Sequence, residues 1–418
     1  MFTVIRNAWK ITDLRKKMLF TLFIILVFRI GSAIPVPYID STFIQAFFNN
    51  NTTSILYYLN MLTGGALAQA TVFALSISPY INASIIIQLL TVGIPALERL
   101  SKSGDEGRKK LAQYTRYLTV GLSLLTGFGY YKLLQSSNAV MEKGFFPGLV
   151  IVLTFTAGSC FLMWLAEKVA DYGIGNGISI LLFAGIVSRL PAELMNFFNA
   201  NIWLFVGVVA GMLLLTVLTV YFNDAERRIS VQYAKRVVGR KQYGGQAQSL
   251  PIKVLTTGVL PVIFASAIVS IPGTISSFVH VDQGGFWSKF FNIFSYTHPV
   301  YGIIEFLLIV FFGYFYAAIQ FNPVEIANNI KNNGGFVTGI RPGKPTSDYI
   351  SKIMSKVILI GSLYLGLVAV IPMIFARYFG ASLALGGTSL LIVVGVALET
   401  VAQIESQMLM RHYKSFLE

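Results

Sequence analysis

Ten apolar runs divide the chain, at about 18–34, 75–93, 112–131, 147–166, 173–190, 202–222, 254–272, 301–321, 354–375 and 386–404. An α-helix rises about 1.5 Å per residue, so about 20 apolar residues are needed to cover the hydrocarbon core of a bilayer. Most of the runs reach that length. Those at 75–93 and 173–190 are shorter and carry polar or glycine positions. The pattern predicts a membrane protein with many spans, in which several helices share one interior.

Polar positions inside the second run qualify that picture. "SPYINASIIIQLLTVGIPALERL", residues 78–100, holds Asn82, Ser84 and Gln88 among aliphatics and ends in a charged stretch broken by Pro95. On a helix, Ile81 and Ile85 share a face, and Ser84 and Gln88 form another i,i+4 pair beside it. Lipid offers such groups no partner, so this side is expected to meet protein or a wet cavity. Hydrogen bonding between ordinary bundle helices is the blander alternative. The stretch just before it, "LNMLTGGALAQATVFALS" (59–76), is too short to cross the membrane and contains Gly64 and Gly65. It predicts a short re-entrant helix, which membranes tolerate only inside a protein-lined cavity.

Charge sets the orientation. The 418 residues are 12% charged, with net charge +14 and mean hydropathy +0.68, about half the charge of a soluble domain. Of 32 Lys and Arg, 26 fall at the N-terminus, in the second-to-third, fourth-to-fifth, sixth-to-seventh and eighth-to-ninth connections, and in the tail. Five fall on the other side: Lys132, Lys143, Arg189, Lys289 and Arg377. By the positive-inside rule both termini are cytoplasmic and the number of spans is even. Nucleic acid is a poor explanation for a charge spread over separate loops. Residues 18–34 read as the first span rather than a cleavable signal. Five spans (residues 1–190) precede a linker at 191–201 and five (202–418) follow it, so the halves enter the membrane in opposite senses, as in an inverted repeat.

Two cytoplasmic loops are longer than connectors need to be. Residues 223–253 contain the alternating "RISVQYAKRV", which predicts a strand or hairpin arm with its turn at Gly244 and Gly245. Residues 322–352 combine a short helix with Gly and Pro breakers. Their length and internal order favour docking surfaces for a large cytoplasmic partner over solvated links.

Catalytic chemistry is sparse. His280, His298 and His412 all lie outside the spans, and no phosphate-binding glycine loop is present. Arg29, Glu305 and Glu399 are the charges nearest the membrane interior, too few for an evident ion relay. Cys160, the single cysteine, reads as packing. No metal, cofactor or enzyme activity is expected.

Several long blocks carry a resemblance to the SecY family of translocon channels, in its bacterial form. They are "GGALAQATVFALSISPYINASIIIQLL", "DYGIGNGISILLFAGIV" (171–187), "RRISVQYAKR" (227–236), "LPVIFASAIVSIP" (260–272), "GIRPGKPT" (339–346) and "GGTSLLIVVGVALE" from Gly386. The chain thus resembles, over essentially its whole length, an all-α polytopic membrane protein of ten transmembrane helices in two inverted pseudo-symmetric halves with a re-entrant plug helix. The resemblance implies a protein-conducting channel of the bacterial plasma membrane. It would pass unfolded preproteins and release signal sequences and transmembrane segments sideways into membrane lipids.

By the same resemblance, Ile81, Ile85, Leu182, Ile186, Ile263 and Ile392 would form an aliphatic pore ring, with Leu182 standing where isoleucine is usual. Residues 62–73, including Thr63, Gly64, Gly65, Ala66 and Leu67, would be the plug. Asn82, Gln88, Ser266 and Ser270 would lie at a lateral gate between the second and seventh spans. Arg236, Arg240 and Arg341 would engage cytoplasmic partners. SecE and SecG would be companion subunits, and SecA or the ribosome would supply the drive, because the sequence shows no ATP site. An aliphatic ring excludes water and ions by dewetting without holding any one side chain tightly. A small-solute carrier built of inverted halves and an insertase without a through-pore are the rival readings; midplane substrate ligands would favour the carrier, and none stands out.

Overall fold

The computed structural model describes residues 2–50, 60, 63–142, 144–233, 236–238, 241–243, 247–255, 258–278, 285–295, 298–379 and 387–414. Each apolar run of the sequence coincides in large part with a helix. The N-terminal part holds α1 (Phe2–Lys10), α2 (Thr12–Gly31), α3 (Ser41–Asn50), α4 (Ser78–Gly93), α5 (Pro95–Lys102), α6 (Asp105–Ser136), α7 (Phe145–Tyr172) and α8 (Gly177–Ala200). After α9 (Ile202–Asp224) come four strands, β1 (Glu226–Tyr233), β2 (Arg236–Val238), β3 (Lys241–Tyr243) and β4 (Ala247–Lys253). The chain continues through α10 (Leu260–Phe278), α11 (Phe286–Ile293), α12 (Pro299–Gln320), α13 (Pro323–Asn332), β5 (Gly335–Val337), α14 (Lys344–Phe379) and α15 (Gly387–Lys414).

Among the described residues six helices are long and apolar enough to cross a membrane: those of α7, α8, α9, α12, α14 and α15. The pair α4 and α5, bent by 102° at its break, makes a seventh if taken as one span. The bend falls where Pro95 opens α5 and Ile94 is extended; proline is suited to a first helical turn and cannot continue the preceding one. The other expected spans lie in α2, α6 and α10. These are less apolar or shorter, because α2 carries Arg15, Lys16, Lys17 and Arg29, α6 is diluted by Tyr, Thr and Gly, and α10 is brief.

Local chemistry sets several helix starts. The side chains of Asn176, Asn201 and Asn322 accept from the backbone N–H groups of Ile178, Trp203 and Val324, and His298 Nδ1 accepts from Val300 N at 3.3 Å. Each satisfies a donor that the first helical turn leaves open. The stretch 191–201, expected as a linker, is helical to Ala200; α8 carries Pro191 inside it and yields to α9 at Asn201 alone.

Between helices, apolar area counts for little in lipid, and close backbone approach replaces it. A methyl group on Gly177 would lie 1.9 Å from the Ala166 carbonyl oxygen, and one on Gly158 would lie 2.0 Å from that of Val72. The largest buried cluster draws on α2, α4, α7, α8, α10, α12, α14 and α15. The N-terminal and C-terminal parts meet where α4 packs on α10 and α8 on α15.

The two long loops fold together. β1 pairs antiparallel with β4, Ile229 opposite Leu250, and with β5, Val231 opposite Val337. The sheet order is therefore β4-β1-β5, with β5 arriving from the second loop. Ile229, Val231, Ile252 and Val337 bury one face against α13 and α14. The strand expected from 228–237 is found as β1 as far as Tyr233, while 234 and 235 lie outside the described residues and 236–238 form β2; the sheet is an addition to an otherwise helical protein. The turn assigned to Gly244 and Gly245 lies outside the described residues.

Candidate functional site: ring, plug and gate

Ile81 and Ile85 stand one turn apart on α4, and Leu182 and Ile186 one turn apart on α8. Ile263 comes from α10 and Ile392 from α15. None of the six is more than 6% exposed, and all belong to one buried cluster. The six residues singled out as a ring thus lie in one large buried cluster, from four helices and both parts of the chain.

Phe73 and Ile77 join the same cluster from the plug side. The plug itself departs from expectation: residues 63–77 form a string of turns, not a helix. The cause is local. Gly64 and Gly65 have φ of +70° and +88°, and Ala70 and Ser76 also take left-handed values; such residues interrupt a right-handed helix. Side chains compete for the backbone donors as well. Thr63 Oγ1 accepts from Leu67 N at 3.3 Å, and Asn60 Oδ1 accepts from Ala68 N at 2.8 Å.

Contacts with the bundle fix the segment in place. The Tyr130 hydroxyl donates to the Leu67 carbonyl. Val36 N donates to Ala70 O at 3.1 Å and Val72 N to Ile34 O at 3.0 Å. Phe73 stacks between Phe28 and Phe161. The double glycine lies against α8 at Gly185, Ser188 and Arg189, around the turn that holds Ile186. A methyl on Gly64 would come within 2.8 Å of Ser188 Oγ, and one on Gly65 within 3.2 Å of an Arg189 guanidinium nitrogen. Ser188 in turn accepts from Arg29 Nη1 at 2.9 Å, and Arg189 pairs with Glu193 at 3.6 Å. Thr63, Gly65, Ala66 and Leu67 are buried. Sequence reading missed Ser188 and Arg189; a serine–arginine pair two and three residues after Ile186, in an apolar run, was the available signal.

At the expected gate, Asn82 is half-buried on α4. Gln88 Nε2 donates to Ser84 Oγ at 3.2 Å, the pair anticipated from their spacing, and Gln88 Oε1 accepts from the Tyr316 hydroxyl of α12. Tyr316 leans on Phe264 of α10, ring centroids 5.0 Å apart. Ser266 and Ser270 are buried on α10, and each donates to a carbonyl of its own helix, those of Ile263 and Ala267. The polar link from α4 to the C-terminal part therefore runs through Tyr316. A phenol inside an apolar span needs a partner for its hydroxyl, and that was the unread signal.

Arg341 is exposed on the turn between β5 and α14. Gly339 and Gly343, with φ of +83° and +101°, flank it, and its carbonyl accepts from Thr346 Oγ1 at 2.8 Å. The turn is pinned while the guanidinium stays free to reach outward. Arg236 lies in the short strand β2, and Arg240 lies outside the described residues. Among the described residues no group of His, Cys, Asp and Glu is arranged to hold a metal.

The family model that matches this chain is SecY, over residues 71–401. The protein translocase subunit SecY of Streptomyces galbus is 45% identical, with 100% of both chains covered. That of Mycobacterium tuberculosis is 42% identical, again over 100% of both. Among solved structures, a protein-conducting channel matches with a TM-score of 0.65 at 20% identity, over 94% of this chain and 92% of that one. A SecY protein whose plug domain stabilises the closed state of its channel matches at 0.69, with the same identity and coverage. At that identity the structural likeness speaks for the fold.

Proposed function

The chain belongs to the SecY family, and from that premise we propose how this polytopic membrane protein works as a protein-conducting channel rather than an enzyme. Ile81, Ile85, Leu182, Ile186, Ile263 and Ile392 form the constriction. Residues 62–73 plug it on the external side. α4 and α10 part to let a signal sequence or transmembrane segment into lipid. Unfolded preproteins pass through the waist, pushed by SecA or by a translating ribosome that engages the cytoplasmic sheet and the Arg341 turn. SecE and SecG are the companion subunits. The chain spans the bacterial plasma membrane ten times, as two inverted halves (1–190 and 202–418), with both termini in the cytoplasm.

One observation supports the reading: all six aliphatics, from four helices, belong to a single buried cluster, and the turns before α4 pack directly on α8, which supplies two of them. A dry aliphatic constriction blocks ions while closed and can widen around side chains of any kind. The cytoplasmic sheet supports a docking role because it ties two distant loops into one surface, from which Arg341 projects.

The test is reconstitution with SecE and SecG in proteoliposomes. SecA with ATP, or a ribosome carrying a nascent chain, should drive a precursor into a protease-protected state. Arg341→Glu should slow this strongly at unchanged channel abundance. Arg341→Lys separates charge from the planar five-donor fork of arginine. Failure to protect precursor with either drive, in vesicles where the subunits are assembled, would overturn the function. Normal transport by Arg341→Glu at limiting SecA and ribosome would remove the Arg341 turn from it.

A further inference from the structure

The connection from α10 to α12 contains α11, whose sequence is "FWSKFFNI". At 100° per residue, Phe286, Trp287, Phe290, Phe291 and the following Phe294 fall within one arc of about 140°. The sequence sets Ser288, Lys289, Asn292 and Ser295 at the opposite register. Between Gly285 and Ser295 there is no acidic residue. The rings form a continuous ladder: Phe286 on Trp287, Trp287 on Phe290 and Phe291, and Phe290 on Phe294, with centroids 5.2–6.1 Å apart.

Among the described residues, the bundle covers this ladder at its Phe294 end. Phe294 packs against the cluster that holds Val269, Tyr301 and Met373, whereas Phe286 is 75% and Trp287 62% exposed. An aromatic face of that size is not stable against water. Its position narrows what covers it. α11 touches both α10 and α12, and α12 begins its membrane-crossing run only a few residues beyond Phe294. The helix is thus tethered at the level where a bilayer ends. Tryptophan and phenylalanine on one side, polar residues and one lysine at the opposite register of the sequence, and no acid match the chemistry of the headgroup–acyl boundary.

We propose that α11 is an interfacial anchor: it lies in the plane of the membrane with its aromatic face in the lipid, and so fixes the level of the α10–α12 connection. The proposal depends on the protein being a membrane protein and not on what the channel carries.

The test uses the full chain in proteoliposomes. Replacing Trp9, Trp164 and Trp203 by Phe leaves Trp287 as the sole indole. Its fluorescence is then quenched either by lipids brominated at different depths or by aqueous iodide. The anchor predicts quenching about threefold stronger by bromines near the headgroup than by bromines at the chain ends, with weak quenching by iodide, as for a helix seated about 5–10 Å into the boundary. Strong iodide quenching with none from lipid would overturn the proposal, because the face would be in water. Protection from both quenchers would also overturn it, because the cover would be protein. If the single-tryptophan chain fails to assemble, Cys160→Ser with Phe286→Cys carries a nitroxide label instead. Oxygen should then broaden its signal more than a water-soluble nickel chelate does; the reverse order would overturn the anchor.

Discussion

Ile392 presents only aliphatic surface to its neighbours, and it is 2% exposed. An asparagine there would bring an amide into the closed cluster without a designed partner. An unsatisfied buried polar group costs about 1–3 kcal/mol, charged to the closed state alone if the open one is wet. Ile392→Asn is therefore expected to raise export of a precursor with a defective signal sequence by about fivefold or more, since 1.4 kcal/mol is a factor of ten. Leu213→Asn is the control, because Leu213 is 62% exposed on α9, away from the cluster. An equal gain in the control would assign the effect to general destabilisation. Gln88 and Tyr316 make the second claim at this scale. Tyr316→Phe keeps the ring against Phe264 and removes only the hydroxyl. It should favour the open gate by about 0.5–1.5 kcal/mol, read as more crosslinking of an arrested signal sequence to lipid. Gln88→Ala should do likewise and add nothing on top of Tyr316→Phe. Full additivity in that double-mutant cycle would show that the bond does not hold the gate.

The plug is the element on which most rests. Deleting residues 62–73 should raise resting ion conductance in planar bilayers while the bundle still assembles. Gly64→Ala should give a smaller rise: its left-handed backbone costs a side chain about 1–2 kcal/mol, and its methyl would press on Ser188 Oγ at 2.8 Å. Wild-type conductance in both variants, transient openings included, would count against the plug. The contrast between plug and spans also shows what the sequence made legible. The apolar helices follow from local hydropathy, but several of their ends do not: α8 and α15 run ten residues past the expected runs, and α14 starts ten residues before its own. The turns of 63–77 were not legible, since Asn60, Thr63 and Tyr130 reach the backbone from three to dozens of residues away and override a helical pattern. Nor was the passage of α8 through Pro191, because proline in a helix is tolerated where neighbouring groups in a membrane bundle compensate. Alternation revealed β1, but β5 joins it from about a hundred residues downstream, beyond any local pattern.

At the scale of the molecule, the N-terminal and C-terminal parts face each other across α4 and α10, with the aliphatic cluster between them and a polar link, Gln88 to Tyr316, spanning the same side. The six residues proposed as a ring were assigned by resemblance, and helical spacing alone would have left each as ordinary packing. Tyr316 could not be found from the sequence, because its partners, Phe264 on α10 and Gln88 on α4, lie about 50 and 230 residues away. If the two parts must separate for a polypeptide to enter, tying them together has to stop transport and releasing them has to restore it. The measurement is precursor protection in proteoliposomes, driven by SecA and ATP. It uses Cys160→Ser with Gln88→Cys and Tyr316→Cys, bridged by a cleavable bifunctional thiol reagent. The account predicts that a large precursor is blocked in the bridged channel and recovers to the unbridged level on cleavage. Full transport of that precursor through a verified bridge would contradict it.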